Sequence, residues 1–174
     1  MDSSLQQEIY AWHRRNYPKD NVIQSLLGIE EEIGELNRAE LKQFGNIRGS
    51  WESWQEEKKK EIGDVLIGLL NYCGFCGVDF NIALQRIQPV HVFKNLDQSI
   101  ALLWVSVAFG KLVENFFCGL AERRASCIGL VYRDVELYCK LAGFDVDEIL
   151  AARWATISQR DFIANPETGG REKE

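Results

Sequence analysis

The chain has 174 residues, is 46% hydrophobic and carries a net charge of −6, enough to bury a core and within the usual size of one domain. The acidic balance argues against a nucleic-acid polymer as partner, because phosphate backbones are gripped by clustered Lys and Arg. The start, Met1 to Glu8, has neither a basic segment nor an apolar run, so no secretory signal is expected and a cytoplasmic location follows by default.

Apolar periodicity and only three prolines, at 18, 89 and 166, predict an all-α chain with helices over about 4–16, 21–44, 53–76, 79–88, 95–118, 120–142 and 145–163. Pro18 and Asp20-Asn21 break the first two, and Gly45 to Ser50 form a loop before the third. Gly77 and Gly143 suit helix C-termini, with Asp79 and Asp145 as the N-caps that follow. The apolar stretch from Ile100 to Val113 is interrupted by Ser106, Gly110 and Lys111. It falls short of the roughly 20 apolar residues a membrane span needs, so a buried helix and no membrane partner are expected. Residues 1–165 are read as one domain, and 166–174 as a flexible tail.

The second and third predicted helices carry the most informative pattern: Glu31-Glu32-Ile33-Gly34-Glu35 in one and Glu61-Ile62-Gly63-Asp64 in the other. Residues three apart share a helix face, so Glu32 projects with Glu35 and Glu61 with Asp64. Packed antiparallel, the helices would gather these carboxylates at one place, where repulsion is relieved by a hard divalent cation such as Mg²⁺, with Mn²⁺ as a substitute. Gly28, Gly34, Gly63 and Gly68 lie beside the acids. Glycine inside a helix costs about 0.5–1 kcal/mol relative to alanine, so these positions suggest close approach of a helix, loop or ligand.

Other candidate ligands are weaker. The five cysteines read as reduced, partly buried thiols. Cys73-Gly74-Phe75-Cys76 has zinc-like spacing but lacks a second pair. His13 and His91 are isolated, and the absence of Glu-x-x-His disfavours a di-iron bundle. Lys58-Lys59-Lys60 and Arg123-Arg124 read as solvated faces.

An internal repeat follows from the glycine-aspartate punctuation. Tyr72-Cys73, Gly77, Asp79 and Leu84 match Tyr138-Cys139, Gly143, Asp145 and Leu150 at one constant offset. At that offset Glu61 and Asp64 meet Cys127 and Leu130, and with a shorter loop Glu32 and Glu35 meet Ala108 and Lys111. The expected architecture is a four-helix-type bundle made as an intrachain pseudo-dimer, the first repeat at about 20–88 and a degenerate second at about 95–155.

These residues resemble the MazG-like all-α nucleoside triphosphate pyrophosphohydrolases, a superfamily that includes dimeric dUTPases and whose signature is EExxE followed at a distance by ExxD. Glu31, Glu32 and Glu35 match the first part, and Glu61 and Asp64 the second. Leu26 to Ile29, Gly34 to Ala39 and Ile47-Arg48-Gly49 flank it in kind. The similarity covers about residues 5–84 and resumes from Trp154 to Pro166, where Arg160-Asp161-Phe162 is similar to a C-terminal motif of some members.

The resemblance implies Mg²⁺-dependent hydrolysis between the α- and β-phosphates of a nucleoside or deoxynucleoside triphosphate, most simply as nucleotide-pool sanitation. It implies metal ligation by Glu32, Glu35, Glu61 and Asp64, with Glu31 as an orienting group or general base. Lys42, Arg48, Lys111, Arg153 and Arg160 are candidate phosphate contacts. Trp12, or the Trp51/Trp54 pair, is a candidate for stacking on a base. Single-copy relatives build the bundle from two chains, so a homodimer of the fused unit stays open. The competing expectation is a noncatalytic nucleotide-binding or oligomerisation module of the same fold.

Overall fold

Helix starts and stops are set by local side chains much as the sequence predicts. In the computed structural model, which describes residues 3–86 and 96–166, α1 spans Ser3–Asn16, α2 Val22–Phe44 and α3 Trp51–Cys76. They are followed by α4 Phe80–Gln85, α5 Gln98–Phe117, α6 Ala121–Ala142 and α7 Val146–Ile157. Asn21 caps α2 and Ser50 caps α3, each with a reciprocal bond from the third helical residue. Gly77 and Gly143 end α3 and α6 in the left-handed region, at φ 64° and 76°. Asp79, Asp97 and Asp145 cap the helices after them. The expectations at His91, at residues 87–88 and 95, and for the tail beyond 166 lie outside the described residues.

The all-α class stands: among the described residues there is no strand, and two antiparallel hairpins, α2–α3 and α5–α6, dominate the packing. α1 and α7 flank α3, and α4 packs on α6. α3 is buried along most of its length, with Ile62, Val65, Leu66, Leu69, Leu70 and Tyr72 in the core.

A polar knot ties the hairpins together. Buried Glu40 accepts hydrogen bonds from Lys58 (3.0 Å), Tyr138 (2.9 Å), Gln98 (2.8 Å) and Ser99 (2.9 Å), side chains of α3, α6 and α5. Burial pushes the Glu40 carboxyl up, but these donors outweigh it and hold the group below its ordinary value. Lys58 also donates to Gln43. It is completely buried, which corrects the expectation that Lys58-Lys59-Lys60 forms one solvated face. A buried charge survives only when paired and hydrogen-bonded, and Lys58 has both.

Two further departures have physical causes. α5 is a continuous helix, long and apolar enough by composition to cross a membrane, but Leu102, Val105, Phe109 and Leu112 on one of its sides belong to the core. Ile100, Leu103 and Val107 on its other side are exposed. α7 stops at Ile157 instead of continuing to about 163. Asp161 accepts from the backbone N–H groups of Ile163 and Ala164, while Phe162 N–H donates to Asn16 at 2.8 Å. These bonds turn the chain back across the end of α1.

Candidate active site

The antiparallel register of α2 and α3 decides which acids meet. Ser25 lies against Asn71, Ile29 against Gly68 and Glu40 against Lys58, so Glu32 comes opposite Glu61 and Asp64. Glycine permits the approach at two places. A Cβ on Gly68 would stand 2.9 Å from Ile29 Cγ1, and one on Gly63 would stand 2.5 Å from Arg153 Cβ. The second contact lets α7 lie close against α3, and Arg153 then grips Asp64 with two parallel bonds of 2.7 Å. A Cβ on Gly28 or Gly34 would meet nothing within 4 Å among the described residues, although Gly28 lines the cleft described below.

Glu32, Glu61 and Asp64 each offer a carboxylate oxygen within 4.8 Å of the others. Glu61 is 3% exposed and Asp64 9% at the side chain, whereas Glu35 stands at the rim with 37%. Lys60 reaches into the group: its Nζ is 2.8 Å from Glu61, 3.6 Å from Asp64 and 3.9 Å from Glu35.

One amine and one guanidinium do not neutralise four acids, and the surplus weighs on the least exposed carboxyls. Burial first, then the neighbouring charges of Asp64 and Glu61, push the Glu32 carboxyl up to about 8. Glu61 is itself raised by burial against the pull of Lys60. Lys60 is also desolvated, but the adjacent Glu61 and Asp64 carboxylates keep it above its ordinary value.

The cluster opens into a cleft of about 420 Å³ between α1, α2, α3 and the α7 end. Glu32, Glu35, Lys60, Asp64 and Arg153 line its acidic end. Trp12, His13, Tyr17 and Phe162 line another part, with ring centroids 5.0–6.2 Å apart along the chain of contacts. Trp12 Nε1 donates to the Arg160 carbonyl at 3.1 Å, so the turn after α7 closes this aromatic wall. His13 is held by Asp20 at 3.2 Å, and burial keeps its imidazole below the ordinary value despite that carboxylate.

Of the residues expected to touch substrate, Trp12, Arg153 and Arg160 line the cleft. Lys42 is instead bonded to Glu57 at 2.7 Å, Arg48 sits exposed in the α2–α3 loop at φ 46°, and Lys111 is exposed on α5. Glu31 faces solvent. Trp54 is buried, and Trp51 borders a separate hollow beside Phe44.

Sequence reasoning missed Lys60, Tyr17, Ser25, Asn71 and Phe162 as cleft residues. Two carried a readable signal: Lys60 stands four before Asp64 and Asn71 seven after it, both on the Asp64 stripe of α3. Thiols contribute nothing here; Cys73 and Cys139 are free and buried, and Cys76 and Cys127 are partly so.

No protein-family model, no curated protein and no solved structure matches this chain.

Proposed function

We propose that the chain is a Mg²⁺-dependent nucleoside triphosphate pyrophosphohydrolase of the MazG-like kind, acting on nucleoside or deoxynucleoside triphosphates. The observation that carries this reading is one cleft with converging carboxylates and an arginine at one end and an aromatic wall elsewhere. A triphosphate needs the first and a base the second.

The donor set fits the metal. Three carboxylate oxygens within 4.8 Å of one another approach the ~4 Å that oxygens bound to one Mg²⁺ at about 2.1 Å can span. Glu32, Glu61 and Asp64 would hold it. Bound there, Mg²⁺ would supply charge neutralisation of the phosphates and acidify a water.

The chain's own groups do the rest. Arg153, fixed by Asp64 on α3, and Arg160 offer guanidinium donors to phosphate oxygens. Glu35 lines the cleft and keeps solvent contact, which suits it to take the proton of the attacking water; Glu31, turned to solvent, is poorly suited. The water oxygen bonds to the α-phosphorus, the bond to the bridging oxygen breaks, and pyrophosphate leaves with that oxygen. Trp12 and Tyr17 exclude water around the base.

The two hairpins support the reading of a degenerate repeat. Lys111 lies near Cys127 as Glu35 lies near Glu61, the pairing expected from the sequence offset. A noncatalytic nucleotide-binding module is the second reading, favoured by Lys60, which partly satisfies the acids without a metal. Pyrophosphate release across a nucleotide panel decides between them. Turnover that needs Mg²⁺ or Mn²⁺ supports the hydrolase, whereas calorimetric nucleotide binding without turnover supports the module.

A further inference from the structure

Asn71 has no part in holding the acids, yet it borders the same cleft. It is 3% exposed. Its Nδ2 donates to Ser25 Oγ at a long 3.4 Å, and its Oδ1 has no hydrogen-bond partner among the described residues. Buried polar atoms are nearly always paired, so a stranded acceptor at a cleft marks the place of a missing donor. The terminal amide torsion is soft, and a small turn presents that oxygen to a ligand.

Its position suits one part of a nucleotide. Asn71 follows Asp64 by seven residues on α3, two helical turns or about 10 Å along the same face. Ser25 precedes Glu32 by the same interval on α2, so the Asn71–Ser25 pair repeats across the hairpin the level of the acidic pair. Gly28, with no described residue within 4 Å of a would-be Cβ, leaves the space between these levels clear on the α2 side. A sugar fits between phosphates at Asp64 and a base edge at Asn71.

We propose that Asn71 is a specificity-determining residue whose Oδ1 accepts a hydrogen bond from an N–H on the Watson–Crick edge of the bound base. The N–H is either a ring imide, as in uracil or thymine, or an exocyclic amine, as in cytosine. This rests on the nucleotide reading of the cleft but not on hydrolysis. The carboxamide discriminates by a penalty: a base with no donor at that edge leaves Oδ1 buried and unpaired in the complex.

The test is binding of nucleoside 5′-monophosphates to the full chain, read by the fluorescence of Trp12, which lines the cleft and packs edge to face on Trp154. Uridine, thymidine and cytidine monophosphates are each compared with the counterpart methylated at N3 (uracil, thymine) or dimethylated at N4 (cytosine). At least one parent should bind about tenfold or more tightly than its methylated form, and which pair does so separates imide from amine. Asn71→Leu should weaken that parent by a similar factor and abolish the discrimination, while its Tm stays level or rises because an unpaired buried oxygen has gone. Asn71→Asp, which keeps an acceptor, should retain the preference.

Asn71→Leu binding and discriminating as wild type does, or losing Tm with its affinity intact, overturns the proposal, as does failure of every parent to bind. Discrimination without triphosphate turnover upholds the assignment and sinks the hydrolase. Turnover indifferent to base-edge methylation does the reverse.

Discussion

The α2–α3 and α5–α6 hairpins have similar lengths, a left-handed glycine ending the second helix of each, and a shared core, but they handle charge in opposite ways. In the first, Glu32, Glu61 and Asp64 converge with one lysine and one arginine between them. In the second, the buried acid Asp134 has its own neighbour Arg133 at 2.6 Å, and Cys127 and Leu130 stand where the offset aligns Glu61 and Asp64. Burial raises the Asp134 carboxyl while Arg133 pulls it back, a pair closed on itself. Packing alone therefore does not require the acidic cluster. The surplus charge of the first hairpin is a destabilising feature that a bound cation would relieve.

The comparison breaks most visibly at Asp64. Asp64→Asn or Glu61→Gln should lower pyrophosphate release on the order of 10³-fold, whereas Lys111→Ala on the second hairpin should leave it within about twofold. Equal losses at both sites would remove the asymmetry. Lys60→Met tests the cation inside the cluster: with a competing ammonium gone, Mg²⁺ should bind about tenfold more tightly by calorimetry. Unchanged or weaker affinity would mean that Lys60 does not compete.

Gly63→Ala should push α7 off α3, because its Cβ would overlap the Arg153 stem. Overpacking of this kind costs about 1–3 kcal/mol, which thermal melting reads at about 2–4 °C per kcal/mol for a domain this size. Gly34→Ala, with open space around it, should not lower Tm.

The last effect is in pH. Glu32 rises from an ordinary 4.5 to about 8 in the fold, so between those values the folded chain holds a proton that the unfolded chain has released. Its contribution to stability is present below about pH 4.5 and declines as pH rises towards 8. In chelator, wild-type Tm should carry that downward component across the window, and Glu32→Gln should flatten it. Saturating Mg²⁺ should raise Tm most at the alkaline end. A wild-type slope unchanged by the substitution would remove Glu32 as its source.

Much of this was legible in the sequence, because helices are written in local terms. Apolar period, Asn21 and Ser50 as caps, and Gly77 and Gly143 as stops are short-range signals. The acids were legible because three-residue spacing on a helix fixes a shared face. What escaped depends on partners distant in the chain. The end of α7 depends on Asn16 and Trp12, and the burial of Lys58 depends on Glu40 in α2. Lys42 offers the same charge as Arg153, and only tertiary packing gives it Glu57 while Arg153 receives Asp64.

The most direct measurement of the central claim is product analysis of wild type and Glu61→Gln incubated with a nucleoside triphosphate panel and Mg²⁺ in heavy-oxygen water. Wild type should give equal amounts of monophosphate and pyrophosphate with the label in the monophosphate, and the variant should lose both products. No turnover of any triphosphate, release of orthophosphate instead, or equal activity in Glu61→Gln would contradict that claim.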